Sequence, residues 1–336
     1  MRQLTFIKPG KLEWWDVPKP KIHRPGEAIV RPIVVGRCDL DTGYVRGSIP
    51  LATGNAIGHE CIAEVVDLGD EVTAFKLGER VVVSPQICCG VCSFCRRGLT
   101  GRCSAVPFAA SYGMGREGNY GGAASDFVRV PYAEAMLVRL PARSDPIKMI
   151  GAADAVLDAW RCVGPYLQER PTCSVLVVGG WPSRIGIYAA GVAVAMGAAR
   201  VDYADTDEVR LALARRFGAT ALKQPTEFNQ QYGIVVDAAG DVEVLRQAIR
   251  ATEPEGVITS CTIHRGDATP LPLQEMYWKG ITFRTGRPNV RSQIEPVLEL
   301  CAHGFDPSLL ETVVAPFEEA PDAFLDQAVS VAISRP

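Results

Sequence analysis

SVLVVGGWPSRIGIYAAGVAVAMG, residues 174–197, contains an apolar run, a Gly-containing turn and the start of an Ala-rich helix in immediate succession. Short apolar runs bounded by turn residues are typical of buried strands. A strand followed by such a turn and a helix places backbone N–H groups where a pyrophosphate can bind. The stretch therefore predicts the first β-α unit of a nucleotide-binding sheet.

The glycine pattern of this turn departs from G-x-G-x-x-G. In an alignment on Gly186, Trp181 and Ser183 stand in place of the first two glycines. The doublet Gly179 and Gly180, together with Ser183, offers an alternative tight turn. By itself the motif is weak evidence for dinucleotide binding.

Outward from this stretch, the character of the chain changes near residue 150. Before it, runs such as EAIVRPIVVGRC and ERVVVSP are broken by Gly and Pro, which is typical of irregular antiparallel β structure. After it, strands alternate with helices, as in RVDYAD, EVRLALARRFG and GIVVDAAG. Such alternation predicts an α/β domain with a parallel, doubly wound sheet.

Composition narrows the classes of function. The 336 residues suit two domains, and 47% hydrophobic with 22% charged residues is close to the soluble average. A net charge of -3 and a pI near 5.9 give no indication of binding to nucleic acid or to an anionic membrane. No signal peptide or membrane span is recognisable, so we expect a cytoplasmic protein whose eleven cysteines are reduced thiols or metal ligands.

Four cysteines are closely spaced in CGVCSFCRRGLTGRC. Cys89, Cys92, Cys95 and Cys103 form C-x2-C-x2-C-x7-C on a Gly-rich loop. Four thiolates at this spacing can surround one Zn²⁺ tetrahedrally, and because no position remains for substrate, such a zinc is structural. An iron–sulfur cluster is the alternative for close cysteine runs. Cys88 is a neighbour to which we assign no ligand role.

Three separated segments supply further metal-ligand residue types: Cys38 in GRCDLD, His59 with Glu60 in GHE, and Asp154 in AADAVLDAW. With the four-cysteine loop between the second and third segments and the β-α unit after them, this order resembles the zinc-dependent medium-chain dehydrogenase/reductases, the alcohol dehydrogenase superfamily. The resemblance covers nearly the whole chain. It implies a GroES-like irregular β catalytic domain and a Rossmann doubly wound parallel-sheet domain.

The resemblance also assigns roles near the metal. Cys38, His59 and Asp154 would hold a catalytic zinc, whose open fourth position is available to substrate. Asp41 matches the family acid that accepts a hydrogen bond from the ligand histidine. Glu60 matches the acid behind the zinc that is thought to help ligand exchange.

Two departures from the family leave alternatives open. Many members carry Ser or Thr two residues after the ligand cysteine, whereas Leu40 and Gly43 occupy the positions of the usual proton relay here. The proton would then leave through ribose hydroxyls and water, or through Thr42, Tyr44 or Asp158. Asp158 stands where the family often has Thr beside the nicotinamide, and it either binds substrate, acts as the missing base, or is a solvated helix acid.

The cofactor is predicted from the second domain. Asp205 lies nineteen residues after Gly186 at a strand end, where this fold places a carboxylate on the adenosine ribose. Asp207 and Glu208 add negative charge that would repel a 2′-phosphate, which favours NAD over NADP. The full set of predicted cofactor-binding residues is Gly179, Gly180, Ser183, Ile185, Gly186, Asp205, Arg210, Ala238, Thr285 and Gly286.

We accordingly predict domains at 1–148 with 287–336, carrying a structural zinc lobe at about 85–105, and at 149–286. The predicted activity is zinc-dependent hydride transfer between NAD and an alcohol or carbonyl substrate, such as a secondary alcohol, polyol or amino alcohol, with two zinc ions per chain. The resemblance implies a homodimer or homotetramer. Alternatives are a zinc-free quinone or enone reductase of the same fold, and a zinc-ribbon module that binds nucleic acid or protein.

Overall fold

The computed structural model describes residues 1–223, 228–266 and 268–335. They form two compact units. The first unit comprises Met1–Leu157, Asn289–Glu299 and the residues from Glu311 onward, and the second comprises Asp158–Pro288 and Leu300–Leu310.

The strands of the described residues, numbered in chain order, are β1 Arg2–Lys8, β2 Lys11–Asp16, β3 Ala28–Arg37, β4 Glu60–Leu68, β5 Arg80–Val83, β6 Val128–Val130, β7 Leu137–Arg139, β8 Ser174–Val178, β9 Arg200–Asp205, β10 Thr220–Lys223, β11 Tyr232–Asp237, β12 Thr252–Ser260, β13 Thr282–Thr285, β14 Thr312–Pro316 and β15 Ser330–Ser334. The α-helices are α1 Asp39–Val45, α2 Ser93–Arg96, α3 Ala133–Met136, α4 Ala155–Glu169, α5 Ser183–Ala195, α6 Glu208–Arg216, α7 Val242–Arg250, α8 Leu273–Lys279, α9 Ile294–Ala302 and α10 Ala320–Ala323.

The first unit is built on a largely antiparallel sheet. Its strand order is β14-β15-β3-β4-β5-β7, with β6 also pairing β3, and β1 and β2 form a separate hairpin. β3 changes register at Pro32, which removes a backbone donor from the ladder. The irregular antiparallel structure expected for this half of the chain is confirmed.

The second unit contains a six-stranded parallel sheet in the order β10-β9-β8-β11-β12-β13. From β8 the chain proceeds outward through β9 and β10 on one side, and then through β11, β12 and β13 on the other. The strand order therefore reverses between β8 and β11, and ligands of such sheets bind at the carboxyl edge of that point. The predicted doubly wound parallel sheet is confirmed.

The unit boundaries differ from the predicted domain limits. The first boundary falls at Leu157/Asp158, within α4, instead of 148/149. Leu300–Leu310 belongs to the second unit, although we predicted that all of 287–336 belongs with the first. The physical reason is local packing: the Tyr188 hydroxyl donates to the Pro307 carbonyl at 3.2 Å, and the rings of Phe217 and Phe305 stack at 5.9 Å.

Among the described residues, no helix combines the length and apolar character that a membrane crossing requires.

Candidate functional site

Cys38, His59 and Asp154 meet in the first unit. Cys38 follows β3 and is the N-cap of α1, His59 precedes β4, and Asp154 follows the 3₁₀ turn Ile150–Ala153. One potential ligand atom from each residue lies within 4.8 Å of the others. The three residues are 6%, 1% and 9% exposed, so the donor set is almost enclosed by protein.

The imidazole of His59 lies between two carboxylates. Its Nδ1 lies 3.5 Å from Asp41 Oδ1, and its Nε2 lies 3.6 Å from Asp154 Oδ2. Asp41 Oδ2 also accepts a hydrogen bond from the backbone N–H of Cys38 at 3.1 Å. Asp41 therefore lies next to two of the predicted ligands, and its hydrogen bond from His59 stays a prediction.

The charges of this cluster fit a metal ion. Neither ring nitrogen of His59 has a hydrogen-bond partner among the described residues, although both are buried. Burial raises the pKa of the Cys38 thiol well above its usual value, and Asp154 adds to the shift. Burial opposes protonation of His59, but Asp41 and Cys38 raise its pKa well above the usual value. Sulfur, nitrogen and oxygen donors at this separation are a ligand set that zinc accepts.

Glu60 lies directly behind this cluster. It is fully buried, and the backbone N–H of Ala155 lies 3.5 Å from its Oε1. A Cβ atom on Gly36 would stand 2.1 Å from Glu60 Oε2, so the carboxylate occupies space that only glycine leaves open. Glycine is therefore required at position 36 because Glu60 approaches β3 closely.

The four-cysteine loop forms a second donor cluster in the same unit. Ligand atoms of Cys89, Cys92, Cys95 and Cys103 lie within 4.8 Å of one another. Backbone N–H groups of Cys89, Cys92 and Cys95 each lie 3.4 Å from a sulfur of the set. N–H groups of Cys95 and Ser104 lower the pKa of Cys92 to about 5. Backbone donors directed at sulfur stabilise thiolates, the form that binds zinc. All eleven cysteines are free thiols.

The groups considered for the missing proton relay are engaged elsewhere. The Thr42 hydroxyl donates to the Cys38 carbonyl at 3.3 Å, and the Tyr44 hydroxyl donates to the Met114 carbonyl at 3.5 Å. Burial raises the pKa of Tyr44, and Asp41 raises it further, so this phenol stays protonated. A Cβ atom on Gly43 would stand 2.5 Å from Ile49 Cδ1, so a hydroxyl residue there would require the Ile49 side chain to move.

Asp158 is paired, and the interpretation of it as a solvated helix acid is wrong. It is 7% exposed and forms a salt bridge with the Nε of Arg161, one turn later on α4. Burial lowers the pKa of Arg161, but Asp158 raises it above the ordinary value, so the two groups neutralise each other. Arg161 Nη2 is buried and has no hydrogen-bond partner among the described residues.

The predicted cofactor residues of the second unit gather at the carboxyl ends of the parallel strands. Gly179 follows β8, and a Cβ atom there would meet the Tyr203 hydroxyl at 2.2 Å and Asp205 Oδ2 at 2.4 Å. A Cβ atom on Gly180 would meet the Ala239 carbonyl at 2.6 Å. The two glycines therefore let the turn pass close to β9 and to the end of β11.

The start of α5 completes this turn. The Ser183 hydroxyl donates to the Gly180 carbonyl at 3.0 Å, and Ile185 is buried in the first helical turn. A Cβ atom on Gly186 would lie 3.1 Å from the Ala238 Cβ, so glycine allows close packing of the helix on the sheet. Backbone N–H groups at the start of this thirteen-residue helix suit a pyrophosphate.

Asp205 and Arg210 form a tight ion pair. Arg210 donates through Nε and Nη2 to the two carboxylate oxygens of Asp205, each at 2.7 Å. The Tyr203 hydroxyl and the Asp207 N–H also donate to this carboxylate. Burial raises the pKa of Asp205, but these donors hold it below the usual value. The carboxylate is thus ionised and its position is defined.

Thr285 and Gly286 lie at the end of β13. Thr285 pairs with Ser260 in the register of β12 and β13, and Gly286 has a φ of +133°. Both residues therefore lie at the carboxyl edge of the sheet.

The sequence places VVDAAG (235–240) and TSCTIH (259–264) at strand ends that flank the cofactor, but it did not predict the polar network that these two segments form. Asp237 accepts hydrogen bonds from Ser260 and from His264, whose Nε2 lies 3.1 Å from Asp237 Oδ2. The sequence feature that could have indicated this network is that Asp237 and Ser260 are the last residues of two adjacent apolar strands. Polar residues at such positions point into the ligand edge of a parallel sheet.

Comparison with known proteins gives two separate family matches. Residues 24–142 match the alcohol dehydrogenase GroES-like domain, and residues 185–303 match the zinc-binding dehydrogenase domain. The chain is 30% identical to D-altritol 5-dehydrogenase of Agrobacterium fabrum, over 74% of this chain and 72% of that protein. It is 27% identical to zinc-type alcohol dehydrogenase B of Aspergillus flavus, over 89% and 72% respectively.

Among solved structures, alcohol dehydrogenase TADH from Thermus sp. ATN1 superposes with a TM-score of 0.89. The two chains are 29% identical, and the superposition covers 99% of each.

Proposed function

The chain belongs to the medium-chain dehydrogenase/reductase superfamily, among the zinc-type alcohol dehydrogenases, and from this we propose that it is an NAD-dependent, zinc-dependent oxidoreductase of alcohol and carbonyl substrates. Zinc would be held by Cys38, His59 and Asp154, and a second zinc by the four-cysteine loop.

The convergence of Cys38, His59 and Asp154 carries this proposal. The three residues come from segments up to 116 positions apart in the sequence, and their donor atoms nevertheless lie within 4.8 Å. Burying a thiol, an imidazole and a carboxylate together is costly unless a cation or a proton network compensates them. The unpartnered nitrogens of His59 support a cation as the compensating group.

The two metal centres would have different roles. Three protein ligands leave a position for substrate, and a zinc bound there supplies Lewis-acid catalysis at a substrate oxygen. Asp41 would fix the orientation of His59 by accepting from its Nδ1, and Glu60 would place a second carboxylate behind the site. Four cysteine ligands leave no open position, so the zinc of the loop would stabilise the first unit only.

The charge near Asp205 supports NAD over NADP. Asp205, Asp207 and Glu208 lie within four residues, whereas Arg210 is committed to Asp205 by two hydrogen bonds. A ribose 2′-phosphate would meet this acidic group, while ribose hydroxyls can donate to a carboxylate. The turn Gly179–Gly180 and the start of α5 would receive the pyrophosphate.

For the substrate we keep secondary alcohols, polyols and amino alcohols, and assembly as a homodimer or homotetramer stays a prediction. One of the relatives is named as a dehydrogenase of an alditol, which supports including polyols in a screen. The comparisons do not favour a zinc-free quinone reductase or a zinc-ribbon module.

The test measures zinc per chain by elemental mass spectrometry and then NAD reduction with a panel of these alcohols. We expect about two zinc ions, NAD-linked oxidation, and loss of one zinc with the activity in Cys38→Ser. Cys61→Ser is the matched control, because Cys61 is buried in β4 of the same unit and belongs to neither cluster. Full metal content and activity in Cys38→Ser would refute the proposal.

A further inference from the structure

Asp237, Ser260 and His264 form a compact network in the second unit. Asp237 and Ser260 are register partners at the ends of β11 and β12. The Ser260 hydroxyl donates to Asp237 Oδ2 at 2.7 Å, and His264 Nε2 lies 3.1 Å from the same oxygen. Asp237 Oδ1 accepts from the Ala239 N–H at 3.1 Å. Because Nε2 is next to a carboxylate, it carries a proton and donates.

The network lies at the position where this type of sheet binds ligands. β11 is one of the two strands at which the strand order reverses. The Thr262 hydroxyl donates to the Trp181 carbonyl at 3.0 Å, which ties the segment carrying His264 to the turn before α5. A Cβ atom on Gly240 would contact both groups, at 3.0 Å from the Trp181 carbonyl and 3.4 Å from Thr262 Oγ1. Three loops therefore meet beside the helix start.

His264 differs from the other three histidines. His59 belongs to the metal cluster, and His23 and His303 are exposed. The hydrogen bond to Asp237 raises the pKa of His264 against the effect of burial, and Asp241 at the N-cap of α7 adds to the shift. Asp237 and Asp241 are the charged groups whose electrostatic effect acts on the ring. Its other nitrogen, Nδ1, is buried and lacks a hydrogen-bond partner among those residues.

We propose that His264 is a cofactor-contacting residue, whose imidazolium, held at Nε2 by Asp237, donates from Nδ1 to an anionic oxygen of the dinucleotide diphosphate. This inference rests on the proposed function, because it requires a dinucleotide at this edge. Binding takes up a proton from solvent when His264 is neutral beforehand. Dinucleotide affinity is then highest at low pH, falls as the pH rises through the titration of His264, and levels off where the ring is neutral in both states.

The experiment measures NADH binding by fluorescence for wild type and His264→Gln. The pH range is 5.5 to 9, because the ordinary histidine pKa is about 6.5 and that of His264 is shifted upward. Losing a hydrogen bond from a charged donor should weaken binding about tenfold at the acidic end and remove the pH dependence. Titration calorimetry in buffers of different ionisation enthalpy should detect proton uptake for wild type alone. Asp237→Asn should move the pH midpoint downward, because the neutral amide stabilises imidazolium less.

The control is His303→Gln, an exposed histidine in the same unit, which should bind as wild type does. ADP-ribose retains the diphosphate and lacks nicotinamide, so it should show the same pH dependence; a dependence seen with NADH alone would overturn the diphosphate contact. NADH binding by wild type with no proton uptake, or equal pH profiles for wild type and His264→Gln, would refute the role of His264. Failure of wild type to bind any dinucleotide would instead refute the proposed function.

Discussion

Asp154 is the proposed third ligand of the catalytic zinc. Asp154 Oδ2 lies 3.6 Å from His59 Nε2, so its carboxylate completes the donor set. We expect Asp154→Ala to lose one zinc and the dehydrogenase activity, because two protein ligands hold zinc poorly, while the second zinc and the circular dichroism spectrum are retained. Elemental analysis checks this result, with exposed Asp70→Ala as the control. Full metal content and activity in Asp154→Ala would contradict the ligand assignment.

Asp158 is the residue whose interpretation changes most in the folded protein. Its salt bridge with Arg161 has side chains only 11% and 17% exposed. Asp158→Ala leaves a buried guanidinium uncompensated, which should destabilise the protein by about 3 kcal/mol, and Arg161→Met in the same chain should restore much of it. Denaturant unfolding of the single and double variants measures this coupling.

A functional role for Asp158 is a separate prediction. If the pair also contacts substrate or cofactor, the double variant should differ from wild type in substrate preference or in the pH dependence of activity. If the double variant instead has the same kinetics as wild type across an alcohol panel and a pH series, the pair contributes to stability alone.

At the scale of elements, the four-cysteine loop is a short segment with little regular structure to support it. Its α-helix α2 spans four residues and is followed by the short 3₁₀ helix Thr100–Arg102, and its cysteines pack against the core of the first unit. We expect Cys103→Ser to lose the structural zinc and to lower the thermal midpoint, because metal binding supplies folding free energy to such loops. The catalytic zinc should remain in the protein that stays folded. Elemental analysis with calorimetry tests this, with Cys88→Ser as the neighbouring control.

One carboxylate, that of Asp126, links β1 to the residue that follows β15. Asp126 accepts from Arg2 of β1 at 3.3 Å and from Arg335 after β15 at 2.7 Å. Burial raises the pKa of Asp126, but the two arginines and the Arg2 N–H lower it below the usual value. The resulting stability is present above the unfolded pKa of about 3.9 and is lost as the pH falls through the lower folded pKa.

Asp126→Asn should therefore cost about 1 kcal/mol at pH 7, and this difference from wild type should shrink below about pH 4. Urea unfolding of both proteins across pH 2.5–8 measures the two curves. If the free energy of unfolding differs between the two proteins by the same amount at every pH, the ionisation of Asp126 does not contribute to stability.

At the scale of the whole molecule, the proposed metal and cofactor residues belong to different compact units. Both donor clusters lie in the first unit, and the glycine turn, Asp205 and His264 lie in the second. Because a ligand stabilises the native state that binds it, NADH should slow amide exchange first in the second unit, and zinc removal should accelerate exchange first in the first unit. Hydrogen-exchange mass spectrometry of the apo, zinc-loaded and NADH-bound protein checks this prediction. Equal protection of both units by NADH would contradict separate stabilisation.

Much of the fold could be read from local patterns in the chain. Three features depend only on neighbours within one strand or helix: the apolar period of each segment, the Gly-containing turn and the alternation after residue 150. They can therefore be recognised without knowledge of the tertiary structure. The four-cysteine spacing likewise defines a metal loop within fifteen residues. These features determined the fold class, and the order of Cys38, His59 and Asp154 indicated the ligand set.

The tertiary structure alone decided which polar side chains are buried together. The pairing of Asp158 with Arg161 as a buried ion pair, the network of Asp237 with Ser260 and His264, and the membership of Leu300–Leu310 in the second unit all depend on burial or on strand register. Hydrogen-bond partners and the cost of burying charge are properties of the packed environment, and no short stretch of sequence contains them. For that reason the sequence by itself determined the framework of the sites, and folding decided their electrostatics.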